Sequence, residues 1–141
     1  MISFWEVGGT PALRKYWGKY ATTTFFQILV YVVDISGSPG TLSVSESIEE
    51  LKRFINETKT KVVLRRKSLI VLFNKADMVP KSTSATEFQA SQLSYRAMVN
   101  FAYEHFHSVR TMLVSSKAVE VDHIANSCKS HEEVLDSIVF K

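Results

Sequence analysis

Cysteine is nearly absent: Cys128 is the only one in 141 residues. One thiol cannot close an internal disulfide, and no zinc-ligand spacing accompanies it, so a reducing compartment is the default expectation. Long hydrophobic runs are also missing. The longest strongly apolar stretch, Phe25 to Val33, is interrupted by Gln27 and falls well short of the about 20 residues a membrane helix needs. Charge of one sign is scarce too. The balance of 17 Lys plus Arg against 14 Asp plus Glu leaves a net charge of +3, too little to imply nucleic acid as a partner. Five Gly and three Pro are too few for a low-complexity chain. The opening Met1-Ile2 lacks the glycine that N-myristoylation requires, and the closing Phe140-Lys141 forms no prenylation box. The resulting expectation is one intracellular domain over residues 1–141, with 45% hydrophobic and 22% charged residues, enough to bury a core.

What is present alternates. Ile2 to Val7 is predicted as a short strand stopping at Gly8-Gly9. Pro11 to Tyr20 is predicted as a helix, with Pro11 in the first turn, where its missing N–H costs nothing. Ile28 to Val33 is a continuous β-branched and aromatic run ending in Asp34, the signature of a strand buried on both faces. After the loop Ser36-Gly37-Ser38-Pro39-Gly40, Ser43 and Glu46 have capping-box spacing, and Val44, Ile48, Leu51 and Ile55 follow as one helical face. Leu69 to Phe73 reads as a second buried strand ending at Asn74. Ser84 and Glu87 make another capping box, with Tyr95, Met98, Ala102 and Phe106 as its apolar stripe. Thr111 to Val114 is a third strand, and Ser130 with Glu133 opens a last helix. Strands alternating with helices predict an α/β fold, a parallel sheet with helices on both faces. Ligands of such sheets bind beyond the carboxyl ends of the strands. Three polar segments fall at those ends: Glu6 to Thr10, Asn74 to Asp77, and Ser115 to Lys117.

Asn74-Lys75-Ala76-Asp77, directly after an apolar strand, resembles the NKxD element of GTP-binding proteins. An aspartate can accept from both the N1–H and the 2-amino group of guanine, and adenine offers neither donor at that edge. Asn, Lys and Asp are also ordinary turn residues, which is the bland alternative. Ser115-Ser116-Lys117 resembles the SAK element, whose backbone N–H meets the guanine O6 and whose lysine covers the base. Trp5-Glu6-Val7-Gly8-Gly9-Thr10 resembles the WDxGGQ element of the ADP-ribosylation factor (Arf) family of small GTPases, and the likeness runs on through Leu13 to Tyr20 and Val32-Val33-Asp34.

The resemblance implies a P-loop NTPase fold and a GTP/GDP switch acting in membrane or ciliary traffic. It implies guanine contacts at Asn74, Lys75, Asp77, Ser115, Ser116 and Lys117, γ-phosphate contacts at Gly8 and Gly9, and Glu6 toward magnesium. It further implies effector and exchange proteins docking on Gly8 to Tyr20, a peripheral membrane association, no nucleic acid, and a cytoplasmic location at the Golgi or ciliary base. Thr10 stands at the position of the family's catalytic glutamine and is too short to orient water as Gln does, so hydrolysis is expected to be slow and no catalytic residue is assigned. Glu6 stands where the family has Asp.

The 141 residues contain no Gly-x-x-x-x-Gly-Lys-[Ser/Thr] sequence. That loop holds the phosphates, and with a following threonine the magnesium. The chain therefore corresponds to the family plan from its third strand onward, with the first two strands and the P-loop absent, and Mg²⁺ is expected only where that part is present. In the family plan the first strand lies between the counterparts of Ile2–Val7 and Ile28–Val33. Its loss would leave a slot roughly 9–10 Å wide whose unpaired backbone groups would each cost about 1–3 kcal/mol if buried. A nucleotide-free interaction module of the same fold is the alternative reading. The cluster Lys59, Lys61, Arg65, Arg66 and Lys67 reads as a solvated loop or as a site for an acidic membrane or partner. The four histidines show no metal spacing.

Overall fold

The computed structural model describes residues 3–78, 96–114 and 128–129. Within these, helices α1 (Pro11–Arg14) and α2 (Trp17–Thr23) precede strand β1 (Ile28–Asp34), helix α3 (Val44–Thr58) and strand β2 (Ser68–Asn74). A helix α4 occupies residues 96–103. Strands β3 (Ser108–Val114) and β4 (Cys128–Lys129) follow. The strands form one parallel sheet in the order β1-β2-β3-β4. The predicted α/β class and parallel sheet are therefore what the chain adopts.

The apolar runs become strands because each finds a partner. Leu29, Tyr31 and Val33 of β1 align with Leu69, Val71 and Phe73 of β2, and these odd positions all point to one face. The α3 stripe covers that face. Ile48, Leu51, Phe54 and Ile55 are buried with Val33, Leu69, Val71, Met98, Ala102, Phe106 and Val109 in one core. Ser43 caps α3 as expected: its hydroxyl accepts from the Glu46 N–H at 3.2 Å, and its own N–H donates to the Glu46 carboxylate at 2.8 Å. Tyr31 closes the helix–sheet contact by donating from its hydroxyl to the Ser47 carbonyl at 2.7 Å. Burial pushes its phenol up to about 12, with the charge of Glu50 adding to the effect.

Three expectations need correction. Residues 3–9 carry no regular secondary structure, so the described part of the stretch expected as the strand Ile2 to Val7 is not a strand, and Glu6 to Thr10 does not follow one. A lone strand has nothing to bond, and among the described residues β1 is an edge strand of the sheet. Phe4 and Trp5 stand exposed, and the slot between two flanking strands does not exist. The helix expected over Pro11–Tyr20 is broken at Lys15–Tyr16 and runs on to Thr23. Finally, β1 is not buried on both faces: Ile28, Val30 and Val32 are exposed. Ile70, Met112 and Val114, with Leu72, form a second, smaller cluster on the face opposite the main core. The expected helix caps at Ser84 and Ser130, and Tyr95 of the α4 stripe, lie outside the described residues.

Candidate functional site at the carboxyl edge of the sheet

Because the strands are parallel, their carboxyl ends share one edge, and the register sets Asp34 against Asn74 there. The Ile35 N–H extends the ladder by donating to the Asn74 carbonyl at 3.1 Å. The chain then turns sharply. Lys75 adopts φ 63°, a left-handed conformation that costs a residue with a Cβ on the order of 1–2 kcal/mol. A single 3₁₀ turn, Ala76–Met78, follows and places Asp77, with the Met78 N–H returning to the Lys75 carbonyl at 2.9 Å.

This geometry delivers the Lys75 ammonium to Asp34, where it donates to Oδ2 at 2.6 Å. The other carboxylate oxygen of Asp34 accepts the Ser36 N–H at 2.9 Å. Burial by itself would raise the Asp34 carboxyl, but the hydrogen bonds from Lys75 and Ser36 outweigh it and hold the group below the usual carboxylate value. Ser36 is itself buried, and its hydroxyl lies 2.6 Å from that of Ser38. Gly37 and Gly40 bracket this loop at φ 69° and 82°, where a Cβ would be strained. Asn74 contributes the one orphan: its Oδ1 is buried and has no hydrogen-bond partner among the described residues. A buried acceptor of this kind calls for a donor from a neighbouring loop or a ligand.

Sequence reasoning singled out Asn74, Lys75 and Asp77, and the structure brings them together on one turn. It missed Asp34 as the partner of Lys75. The available signal was a charged residue ending an apolar strand. Ser115, Ser116 and Lys117 lie outside the described residues, directly beyond the end of β3.

Glu6, Gly8, Gly9 and Thr10 are all exposed, and the glycines and Thr10 are tied elsewhere. Trp17 donates its indole N–H to the Gly8 carbonyl at 3.0 Å, and Arg14 donates to the Gly9 carbonyl at 2.7 Å. The Thr10 carbonyl accepts from Leu13 and Arg14 as α1 begins. Trp17 in turn packs edge-on against Tyr31 and Phe54, at 6.0 and 6.4 Å between ring centres. The glycine pair is thus hung on the two short helices, and none of these hydrogen bonds reaches Asn74–Asp77. Among the described residues no cluster of three His, Cys, Asp or Glu is arranged to hold a metal, and no helix is long and apolar enough to cross a membrane.

The model of the ADP-ribosylation factor family matches residues 1–131. Among individual proteins, the chain is 35% identical over 78 residues to ADP-ribosylation factor-like protein 3 of Chlamydomonas reinhardtii, covering 55% of this chain and 39% of that protein. It is 37% identical over 76 residues to ADP-ribosylation factor-like protein 8b of Arabidopsis thaliana, covering 54% and 36%. To ADP-ribosylation factor-like protein 2 of Drosophila melanogaster it is 33% identical over 88 residues, covering 62% and 42%. The aligned stretches span only about two-fifths of the length of these relatives. No solved structure matches.

Proposed function

The chain belongs to the ADP-ribosylation factor family, and from that premise we propose that the turn Asn74–Asp77 is the base-recognising half of a guanine-nucleotide site in a GTP/GDP switch. The observation that carries this reading is the turn itself. A buried strand delivers Asn74, a left-handed Lys75 and Asp77 to the carboxyl edge of a parallel sheet, where ligands of such folds bind. Asp77 would accept the two guanine donors, and Lys75 would lie over the base. Ser115, Ser116 and Lys117, just past β3, would complete the base pocket.

The phosphate half fits less well. No Gly-x-x-x-x-Gly-Lys-[Ser/Thr] sequence occurs in these residues, and phosphate contacts supply most of the affinity of such sites. Nucleotide binding by these 141 residues alone is therefore weak. Where a P-loop is supplied, Gly8 and Gly9 would face the γ-phosphate and Glu6 the magnesium. The stretch from Gly8 to Tyr20 would reorder with nucleotide and present itself to effector and exchange proteins. Thr10 leaves hydrolysis slow. Glu6, Thr10, the run Leu72-Phe73-Asn74-Lys75 with Asp77, and Pro80 also resemble the Arf-like protein 16 subgroup. That likeness supports a role in membrane or ciliary traffic, in the cytoplasm at the Golgi or ciliary base.

A second reading, a nucleotide-free interaction module, draws on the Lys75–Asp34 pair and on the Gly8 and Gly9 carbonyls tethered to Trp17 and Arg14, which hold both segments in place without a nucleotide. One experiment separates the two. The chain is joined to a P-loop-bearing segment and titrated with fluorescent GDP, with and without Asp77→Asn. A bidentate charged contact is worth about 1.5–3 kcal/mol, so the switch reading expects about 10–150-fold weaker binding in the variant. Equal affinity, or no binding by either form, favours the module.

A further inference from the structure

The opposite edge of the sheet, where the strands begin, carries no part of the guanine reading and has a chemistry of its own. The loop from Lys59 to Lys67 is pinned there by its backbone. The Lys61 and Val62 N–H groups donate to the Thr58 carbonyl, and the Lys67 N–H donates to the Leu64 carbonyl at 2.8 Å. Leu64 is buried and Val62 packs on the main core. With these two turned inward, Lys59, Lys61, Val63, Arg65 and Arg66 are turned outward and exposed.

Lys67 joins this loop to the start of β1. Its ammonium donates to the Phe26 carbonyl and sits over the rings of Phe25 and Phe26 at 4.8 and 4.5 Å. Phe25 is 85% exposed and Val63 is 63% exposed. None of Lys59, Lys61, Arg65, Arg66 and Lys67 forms an ion pair among the described residues; the four pairs found there use other cations. Among the described residues, Glu104 is the one carboxylate lining the shallow cleft beside the loop, and Glu57 is held by Arg53 at 2.9 Å. Among the described residues the edge therefore combines four outward cations without an ion pair, a fifth, Lys67, held on the Phe26 carbonyl and the aromatic rings, and two exposed apolar side chains.

We propose that this edge, built from Phe25, Lys59, Lys61, Val63, Arg65, Arg66 and Lys67, docks on the surface of an anionic phospholipid bilayer. Charge complementarity supplies attraction toward acidic headgroups. The exposed Phe25 and Val63 choose the bilayer over a soluble polyanion. A hydrated acidic peptide gains nothing from them, whereas the headgroup–acyl boundary takes up apolar side chains flanked by cations. The docking needs neither nucleotide nor the guanine reading. It holds the opposite, nucleotide-side edge of the sheet away from the membrane.

The test is co-sedimentation of the 141-residue chain with vesicles of phosphatidylcholine alone or with about one-third phosphatidylserine, at low and moderate salt. Binding is expected to the anionic vesicles only, and to fall with salt. Each cation near such a surface contributes a factor of about five. The double variant Lys61→Ala with Arg66→Ala should therefore bind about 25-fold more weakly, and Phe25→Ser should also weaken binding at unchanged charge. The charge-conserving pair Lys61→Arg with Arg66→Lys should bind as the parent does, and a far-ultraviolet circular dichroism spectrum of the alanine variant that matches the parent's excludes misfolding as the cause of a loss. Equal partition onto neutral and anionic vesicles, or full binding by the double variant, overturns the proposal. So does capture of polyglutamate without any vesicle binding, which assigns the edge to an acidic protein instead.

Discussion

Replacing Asp34 by Asn tests the geometry of the carboxyl-edge site at its most specific contact. The substitution keeps an oxygen to accept the Ser36 N–H at 2.9 Å and removes only the charge that Lys75 meets at 2.6 Å. The side chains are 21% and 38% exposed respectively, so solvent screens the pair and a surface value of about 0.5–1 kcal/mol applies. In a chain of this size that is a fall in Tm of about 2–4 °C. The Asp34→Ala variant also loses the Ser36 bond and should cost about 1–2.5 kcal/mol. The sign with pH follows from the lowered carboxyl. A depressed carboxylate contributes stability above its unfolded value of about 3.9 and loses it as pH falls through the folded value. Urea unfolding monitored by tryptophan fluorescence should show the parent more stable than the Asn variant at pH 7. The gap should begin to narrow as pH falls below about 3.9 and should shrink in 1 M NaCl. Identical midpoints at pH 7, or a gap unchanged at pH 3, would refute the idea that this ion pair sets Lys75.

Leu51, 1% exposed at the centre of the α3–sheet core, should cost about 2.7–5 kcal/mol when cut to Ala, read as a lower urea midpoint with an unchanged m-value. The Tyr31 phenol, raised to about 12 mainly by burial, should give an ultraviolet ionisation step at that pH that is missing from the Tyr31→Phe variant. Stability linked to it is complete below about pH 10 and fades as pH climbs toward 12. In a chain supplied with a P-loop, Thr10→Gln should leave GTP affinity unchanged and raise single-turnover hydrolysis above the roughly 10⁻⁴ s⁻¹ of unassisted small GTPases. Rapid hydrolysis by the Thr10 form alone would mean that another group positions the water.

How far the residues foretold the structure depends on how local the cause was. Strands β1 and β2 were legible because each is a continuous apolar run with a polar stop. The start of α3 was legible because Ser43 and Glu46 sit at capping distance in the chain itself. Ile2 to Val7 has strand composition but no neighbour to bond, and composition says nothing about neighbours. The break at Lys15–Tyr16 was equally hidden, since Trp17 reaches back to Gly8. Strand β4, two residues long, is too short to leave a pattern. For the site, the turn Asn74–Asp77 could be read directly, whereas its partner could not. Lys75 and Asp34 are 41 residues apart, and only the parallel register of β1 on β2 makes them neighbours.

The central claim is that the turn Asn74–Asp77 recognises guanine even where the phosphate grip is lacking. Its most direct test is amide NMR of the isotopically labelled 141-residue chain titrated with guanosine and, separately, with adenosine at millimolar concentration. Guanosine should shift the resonances of Asn74, Lys75 and Asp77 in a saturable way, adenosine should leave them in place, and Asp77→Asn should abolish the guanosine response. Equal shifts from both nucleosides, or no response to guanosine at saturating concentration, would contradict it.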